Sequence, residues 1–346
     1  MFTGGAARGV AGGVASGVAI GRLVVPTFSW SSARTRFGWL AVPAVIAGVS
    51  RIFSIVLLAI AAQVRGLPLV GDIEPAARAA YAGITSSWDA RWYLNIAANG
   101  YHAEALQGSA LGGHHDYAFF PLWPISIDLA SLGILPPQDV AVVLAPVLFV
   151  LAAIVLAAVL ARPFGRPVAT GAVGLLAFSP AAYVLSTAYS EPLFLLLAAL
   201  AFLSTDPAKP ARRGLLAGLA MLTRIAGAAI VAAEGVRFLL SRGRDVGALA
   251  AAVGGMIGFA AWWLTVAAIS GSPTGFLEGS PDWSPSTGIA NVVDVIRTAD
   301  VWQLGQLAFA GIVLVGGLLA MRRDRILGLY AICPLQPVVP RRPWRE

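Results

Sequence analysis

From Val140 to Ala161 the chain reads VAVVLAPVLFVLAAIVLAAVLA, with no charged residue. A bilayer core of roughly 30 Å asks a helix for about 20 apolar residues, and this run supplies them. Residues 167–190 carry no charge either, and neither do 246–277 or 301–320. Hydrophobic residues make up 58% of the 346 and charged residues 12%, against roughly 25% charged in a soluble domain. Two soluble domains, the usual reading of this length, are excluded. The sequence predicts an all-α polytopic membrane protein.

Apolar segments recur at about 39–63, 117–135, 139–161, 167–187, 190–204, 214–236, 246–270 and 301–320, with a remnant at 326–339. They predict eight or nine spans. Arg51 interrupts the first, and an arginine near mid-span is costly unless it snorkels or has a partner. The preferred reading sets that span at 45–64, with Arg51 near its cytoplasmic end. Residues 1–38 hold four arginines and no acid and read as a flexible cytoplasmic tail. The polar stretch 64–116 then falls outside by the positive-inside rule. It holds five acids, three arginines and all three histidines. Basic loops at Arg237–Arg244 and Arg322–Arg325 are two spans apart and share the cytoplasmic side, which puts 271–300 outside. Arg162 and Arg166 break this parity, and Ser179-Pro180 offers a reason. A break there turns 167–187 into a short or re-entrant piece, allowed where irregular backbone lines a cavity.

The net charge of +7 does not indicate nucleic acid. The basic residues sit in short loops as topology signals, and no basic aromatic stripe tracks a phosphate backbone. The single cysteine, Cys333, excludes an intramolecular disulfide and any multi-cysteine metal site.

Four segments carry chemistry. In Trp88-Asp89-Ala90-Arg91-Trp92-Tyr93, with Gly100-Tyr101 downstream, a carboxylate lies among indole rings. An interfacial aromatic belt is one reading. The other is a base whose proton affinity burial raises, beside aromatic faces that suit a sugar ring. Phe119-Phe120-Pro121-Leu122-Trp123-Pro124 reads as a packed, proline-bounded entry to a helix. Tyr189-Ser190-Glu191, after Pro180, contains the only charge between Arg166 and Asp206. Glu191 is either a functional intramembrane carboxylate or a helix-start acid capped by Ser190. In Thr223-Arg224-Ile225-Ala226-Gly227, Arg224 lies within an apolar helix and needs a counter-charge: Glu191, Glu234 or an anionic ligand such as a lipid phosphate. His114-His115-Asp116 reads as a solvated loop rather than a divalent-ion site, since adjacent histidines on an extended loop point apart.

These four segments, in this order, resemble the PIG-V-type mannosyltransferases, the family of the second GPI mannosyltransferase and its bacterial relatives, within the GT-C class. The resemblance covers about residues 40–325. It implies a GT-C helical bundle with a large first outer loop, a polyprenyl-phosphate-mannose donor, and a glycolipid or surface glycan acceptor. It implies no nucleotide-sugar site and no cofactor. The catalytic acid of the first outer loop maps onto Asp89. Trp88, Arg91, Trp92, Tyr93, Tyr101, Tyr189, Ser190, Glu191 and Arg224 are the expected substrate-binding residues. Residues 326–346, proline-rich and too short to cross, read as a truncated or atypical tail. The competing readings are a transporter or flippase for a lipid or anion and a non-catalytic membrane subunit.

Overall fold

Long apolar runs without internal partners for their backbone must close their hydrogen bonds within themselves, and in lipid that means helices. The computed structural model describes residues 38–64, 88–105, 114–279 and 301–332, and every regular element among them is helical. All but the last residue of the tail 1–38 and most of 271–300 and 326–346 lie outside the described residues, as do 65–87 and 106–113 of the first polar stretch.

Helix α1 spans Ala41–Val64. A short helix α2, Asp89–Asn99, precedes α3 (Leu122–Ser131). The Val140–Ala161 run forms the middle of α4, Pro137–Phe164. Pro137 suits its first turn, where no N–H partner is needed. Asp139 and Arg162 match the helix dipole at its two ends. Then follow α5 (Arg166–Ala177), a 3₁₀ segment Pro180–Ser186, α6 (Glu191–Leu203), α7 (Pro210–Met221) and a 3₁₀ turn Ile225–Gly227. The chain continues as α8 (Ala228–Leu240), α9 (Val246–Ser270), the short α10 (Gly275–Gly279), α11 (Val301–Ala320) and α12 (Arg325–Ile332).

Among the described residues, α1, α4 and α9 are long and apolar enough to cross a bilayer. Helix α5 and segment 180–186 meet at an 82° bend and, counted as one broken span, bring the total to four. The break anticipated at Ser179-Pro180 is present. Proline lacks the N–H that would continue the ladder and disfavours helix in the residue before it. The predicted spans 117–135, 190–204 and 214–236 are not continuous helices of spanning length. Pro121 precedes the helix of the first and left-handed Leu132 and Gly133 end it, and the third stops at Met221 and restarts at Ala228. Large apolar side chains on α1 face outward, including Val45, Ile52 and Ile60. A surface of that kind fits lipid rather than water.

Arg51 corrects the expectation of a residue near the helix end. It is the middle of α1, and 3% exposed. Its partners are described below.

Helices α7 and α9 cross at glycine. A Cβ placed on Gly254 would lie 2.1 Å from the carbonyl oxygen of Gly214, and one on Gly258 2.6 Å from that of Gly218. The pairing advances in the same direction on both chains, so the helices run parallel. Backbones approach this closely only where side chains are absent. The start of α7 is fixed by charge: buried Arg213 donates to Glu234 of α8 at 2.6 Å and lies 3.7 Å from Asp245 at the start of α9.

Candidate active site

The four sequence segments converge through contacts that link each to the next. Tyr101 Oη donates to the Phe119 carbonyl at 2.6 Å. Trp123 Nε1 donates to the Ala188 carbonyl at 3.0 Å, and the Leu122 N–H donates to the Leu222 carbonyl at 2.9 Å. The second segment is therefore a scaffold, as its packing reading held. Trp92 stacks on Phe119 with ring centroids 5.4 Å apart and 8° between planes. Tyr93 meets the same ring edge-on at 5.1 Å.

Arg224 is not inside a helix as predicted. It sits in extended backbone between α7 and the 3₁₀ turn. Leaving the helix there frees the guanidinium to turn toward α6. Gly227 makes the turn feasible, because a Cβ on it would stand 2.6 Å from the Met221 Cα. Of the counter-charges considered, Glu191 is the partner: Arg224 Nη1 lies 2.5 Å from its Oε1. Glu234 is engaged by Arg213 instead. Arg224 also donates to Ser190 Oγ at 3.2 Å, and that hydroxyl shares a 2.9 Å hydrogen bond with Tyr93 Oη. Ser190 precedes α6 but makes no side-chain cap bond, so its hydroxyl serves this network rather than the helix end.

Asp89 opens α2, directly after Trp88. The preceding backbone is unusual, with Trp88 at φ 53 and ψ −127. Positive φ in a bulky residue is a strained arrangement, found where surroundings over-determine it. Asp89 is half-buried. Burial raises the proton affinity of its carboxyl, the negative charge of Glu191 raises it further, and Arg224 opposes both. Tyr189 lies within electrostatic reach of Asp89. Tyr183, not among the expected site residues, connects the rings: its centroid is 6.2 Å from Trp88 and 6.5 Å from Tyr189.

Asp89, Tyr93, Tyr189, Ser190, Glu191 and Arg224 thus form one constellation. Trp88 stands at its rim, 61% exposed. Trp92, buried, and Tyr101, half-buried, are instead packed into the wall behind it. Tyr101 lies 4.8 Å from Trp262 of α9. Arg91 is exposed on α2. Glu191 Oε2 is buried with no hydrogen-bond partner among the described residues, an acceptor free for a hydroxyl.

Beside this constellation lies a cavity of about 430 Å³ between α1, the end of α5 and the bend. Ser54, Leu57, Phe178 and Pro180 line it, with Trp88 and Tyr183 at the side shared with the constellation. It is mostly apolar in lining.

The solvated-loop reading of His114-His115-Asp116 fails for its acid. Asp116 is 1% exposed and its Oδ2 accepts from the His102 N–H at 3.2 Å and faces His102 Nδ1 at 3.0 Å. The pair staples residues 101–105 to 114–118, and Tyr117 adds a hydrogen bond to the Ala103 carbonyl. Among the described residues no three His, Cys, Asp or Glu side chains are grouped to hold a metal ion.

A family described as Mannosyltransferase (PIG-V) matches residues 62–240, a stretch that contains every member of the constellation. No curated protein and no solved structure matches the chain.

Proposed function

Because the chain belongs to the mannosyltransferase (PIG-V) family, we propose that it transfers mannose from polyprenyl-phosphate-mannose to a membrane glycolipid or surface glycan, with inversion, at the outer face of the cell membrane. The observation that carries this reading is the meeting of Asp89, Glu191 and Arg224 at the edge of a membrane bundle, next to an apolar cavity. A lipid-linked donor needs three things there: apolar room for its chain, a cation for its phosphate, and a base on the acceptor side.

The chemistry follows from those groups. The Asp89 carboxylate takes the proton of the acceptor hydroxyl as that oxygen attacks the anomeric carbon. The bond from the anomeric carbon to the phosphate oxygen breaks, and its electron pair leaves with the polyprenyl phosphate. Attack opposite the leaving group inverts the centre. Arg224, with a planar fork of donors, neutralises the charge growing on the phosphate. Phosphate leaves readily, so the base is the essential side chain. Glu191 holds Arg224 in place and offers its unpartnered Oε2 to a sugar hydroxyl. Ser190, itself bonded to Tyr93, accepts from the same Nη1 that meets Glu191, and Trp88 offers an exposed ring face to the sugar.

Membranes containing the chain, supplied with radiolabelled polyprenyl-phosphate-mannose, should yield labelled glycolipid above membranes lacking it. Label that stays wholly in the donor would defeat the proposal, and a donor that crosses the bilayer unreacted would favour a flippase.

A further inference from the structure

An arginine buried in the middle of a spanning helix must find every donor a partner. Arg51 does so for four of its five N–H groups, three of them on a single neighbouring span. Its Nη2 donates to the Ala177 carbonyl at 2.7 Å. Its Nη1 donates to the Ala182 carbonyl at 2.5 Å and to Ser186 Oγ at 3.0 Å. Nε reaches Ser50 Oγ at 3.2 Å, and the guanidinium lies over the Phe149 ring of α4, 4.7 Å from its centroid. Three of these acceptors belong to the broken span, on both sides of its 82° bend. Ala177 ends α5, so its carbonyl has no following turn to satisfy it. A cation at that end also complements the helix dipole.

The bend leads directly to the constellation. Tyr183 lies within the 3₁₀ segment that Arg51 grips, and Tyr189, Ser190 and Glu191 follow Ser186 by three to five residues. The Ala188 carbonyl between them is held by Trp123. The path from α1 to Glu191 is therefore pinned at Arg51 and again at Trp123.

We propose that Arg51 is a positioning residue: by clamping both arms of the broken span to α1, it sets Tyr189, Ser190 and Glu191 against Asp89. Four of its five N–H groups are taken by protein acceptors, three of them on the broken span, so its action on the reaction runs through the bend even though it also borders the apolar cavity. The inference rests on the transferase reading for its kinetic consequences, but the clamp itself is independent of it. Lysine is a poor substitute, since one ammonium cannot reproduce a planar fork reaching two arms at once.

The test uses the full chain with Arg51→Met, Arg51→Lys and the milder Ser186→Ala, which removes one acceptor. Spin labels at Leu129 of α3 and Leu175 of α5, both exposed, in a Cys333→Ser background, report the bend by distance measurement in detergent or nanodiscs. The wild-type chain should give one narrow distance. Arg51→Met should broaden or shift it, Arg51→Lys less so, and Ser186→Ala least. Turnover per folded molecule should fall about 10–100-fold in Arg51→Met, the scale of a misplacement near 1 Å. The acidic limb of its pH profile should move toward the ordinary carboxylate range as Asp89 loses burial and Glu191 moves away from it. An unchanged distance distribution would overturn the clamp, whatever the activity. An altered distance with unchanged turnover and pH limb would confine Arg51 to stability. A wild-type chain with no transfer would remove the transferase reading, while the distances would still decide the clamp.

Discussion

Asp89→Asn keeps the shape of the side chain and removes its basicity. Loss of a positioned general base typically lowers the rate 10²–10⁴-fold. The structure narrows this. The neighbouring carboxylate, Glu191, is held on Arg224 at 2.5 Å, and exposed Glu104 belongs to the loop beyond Gly100, outside the constellation. With no replacement base in place, the loss should fall in the upper half of the range. That is about 10³–10⁴-fold, or ~4–5.5 kcal/mol at roughly 1.4 kcal/mol per tenfold. The pH dependence carries a second signature. Burial, then Glu191, raise the Asp89 carboxyl above the ordinary carboxylate value of about 3.9, against the pull of Arg224. The wild-type rate should therefore decline with acidification at a pH above the ordinary carboxylate range, since only the ionised form accepts a proton. Stability should run the opposite way. A carboxyl that binds its proton more tightly when folded contributes stability present at low pH and lost as pH rises through the folded value. Asp89→Asn should remove both the activity limb and that fraction of the stability slope. The assay is mannose transfer in purified proteoliposomes across pH, with melting followed in parallel and Glu104→Gln as a near-neutral control. A mutant turning over within tenfold of wild type would refute Asp89 as the base and make Glu191 the next candidate.

Arg224→Lys should weaken donor binding partially and Arg224→Ala more severely, as read by titration with polyprenyl-phosphate-mannose; normal binding in both would leave Arg224 a structural partner of Glu191. Glu234→Gln should destabilise the bundle by about 3 kcal/mol, the lower end of the cost of breaking a buried pair, because it leaves buried Arg213 only the longer contact to Asp245, whereas Arg213→Met with Glu234→Leu should recover most of the loss in detergent unfolding; equal damage from both would contradict this. Gly254→Ala should cost about 1–3 kcal/mol or more by forcing α7 off α9, with Gly171→Ala, where a Cβ meets nothing within 4 Å, neutral or stabilising by comparison. A cysteine at exposed Ala98, in the Cys333→Ser background, should react with an impermeant thiol reagent in intact cells; labelling only after lysis would reverse the proposed orientation.

The helical membrane class was legible because charge-free runs have one physical use. The order of the four segments pointed to the site because each has a distinctive chemistry. What the sequence concealed is where helices stop. Arg224 reads as intrahelical because its neighbours are apolar, and only the close approach of Gly227 to Met221 exposes the break. Arg51 was misjudged because its partners lie 126–135 residues away, and no local pattern encodes them. Asp116 was taken as solvated because its partner, His102, lies 14 residues away in sequence. Two signals were present and unused: Gly214 with Gly218, and Gly254 with Gly258, each four apart. That spacing marks a close helix crossing.

The ties at Leu222 and Ala188 are made to carbonyl oxygens, not side chains. Such a contact is blind to the identity of the residue that supplies the acceptor. Constraint on the sequence is consequently one-sided. Position 123 must keep an indole N–H to reach the 188 carbonyl, whereas position 188 answers only to its own packing. At 122 and 222 both partners are main chain, and the tie survives any exchange that preserves the backbone path, short of a proline at 122. Mutational drift can thus rewrite much of the wall around the constellation without loosening it, leaving Trp123 and Tyr101 as side chains through which that wall can be broken by a single base change.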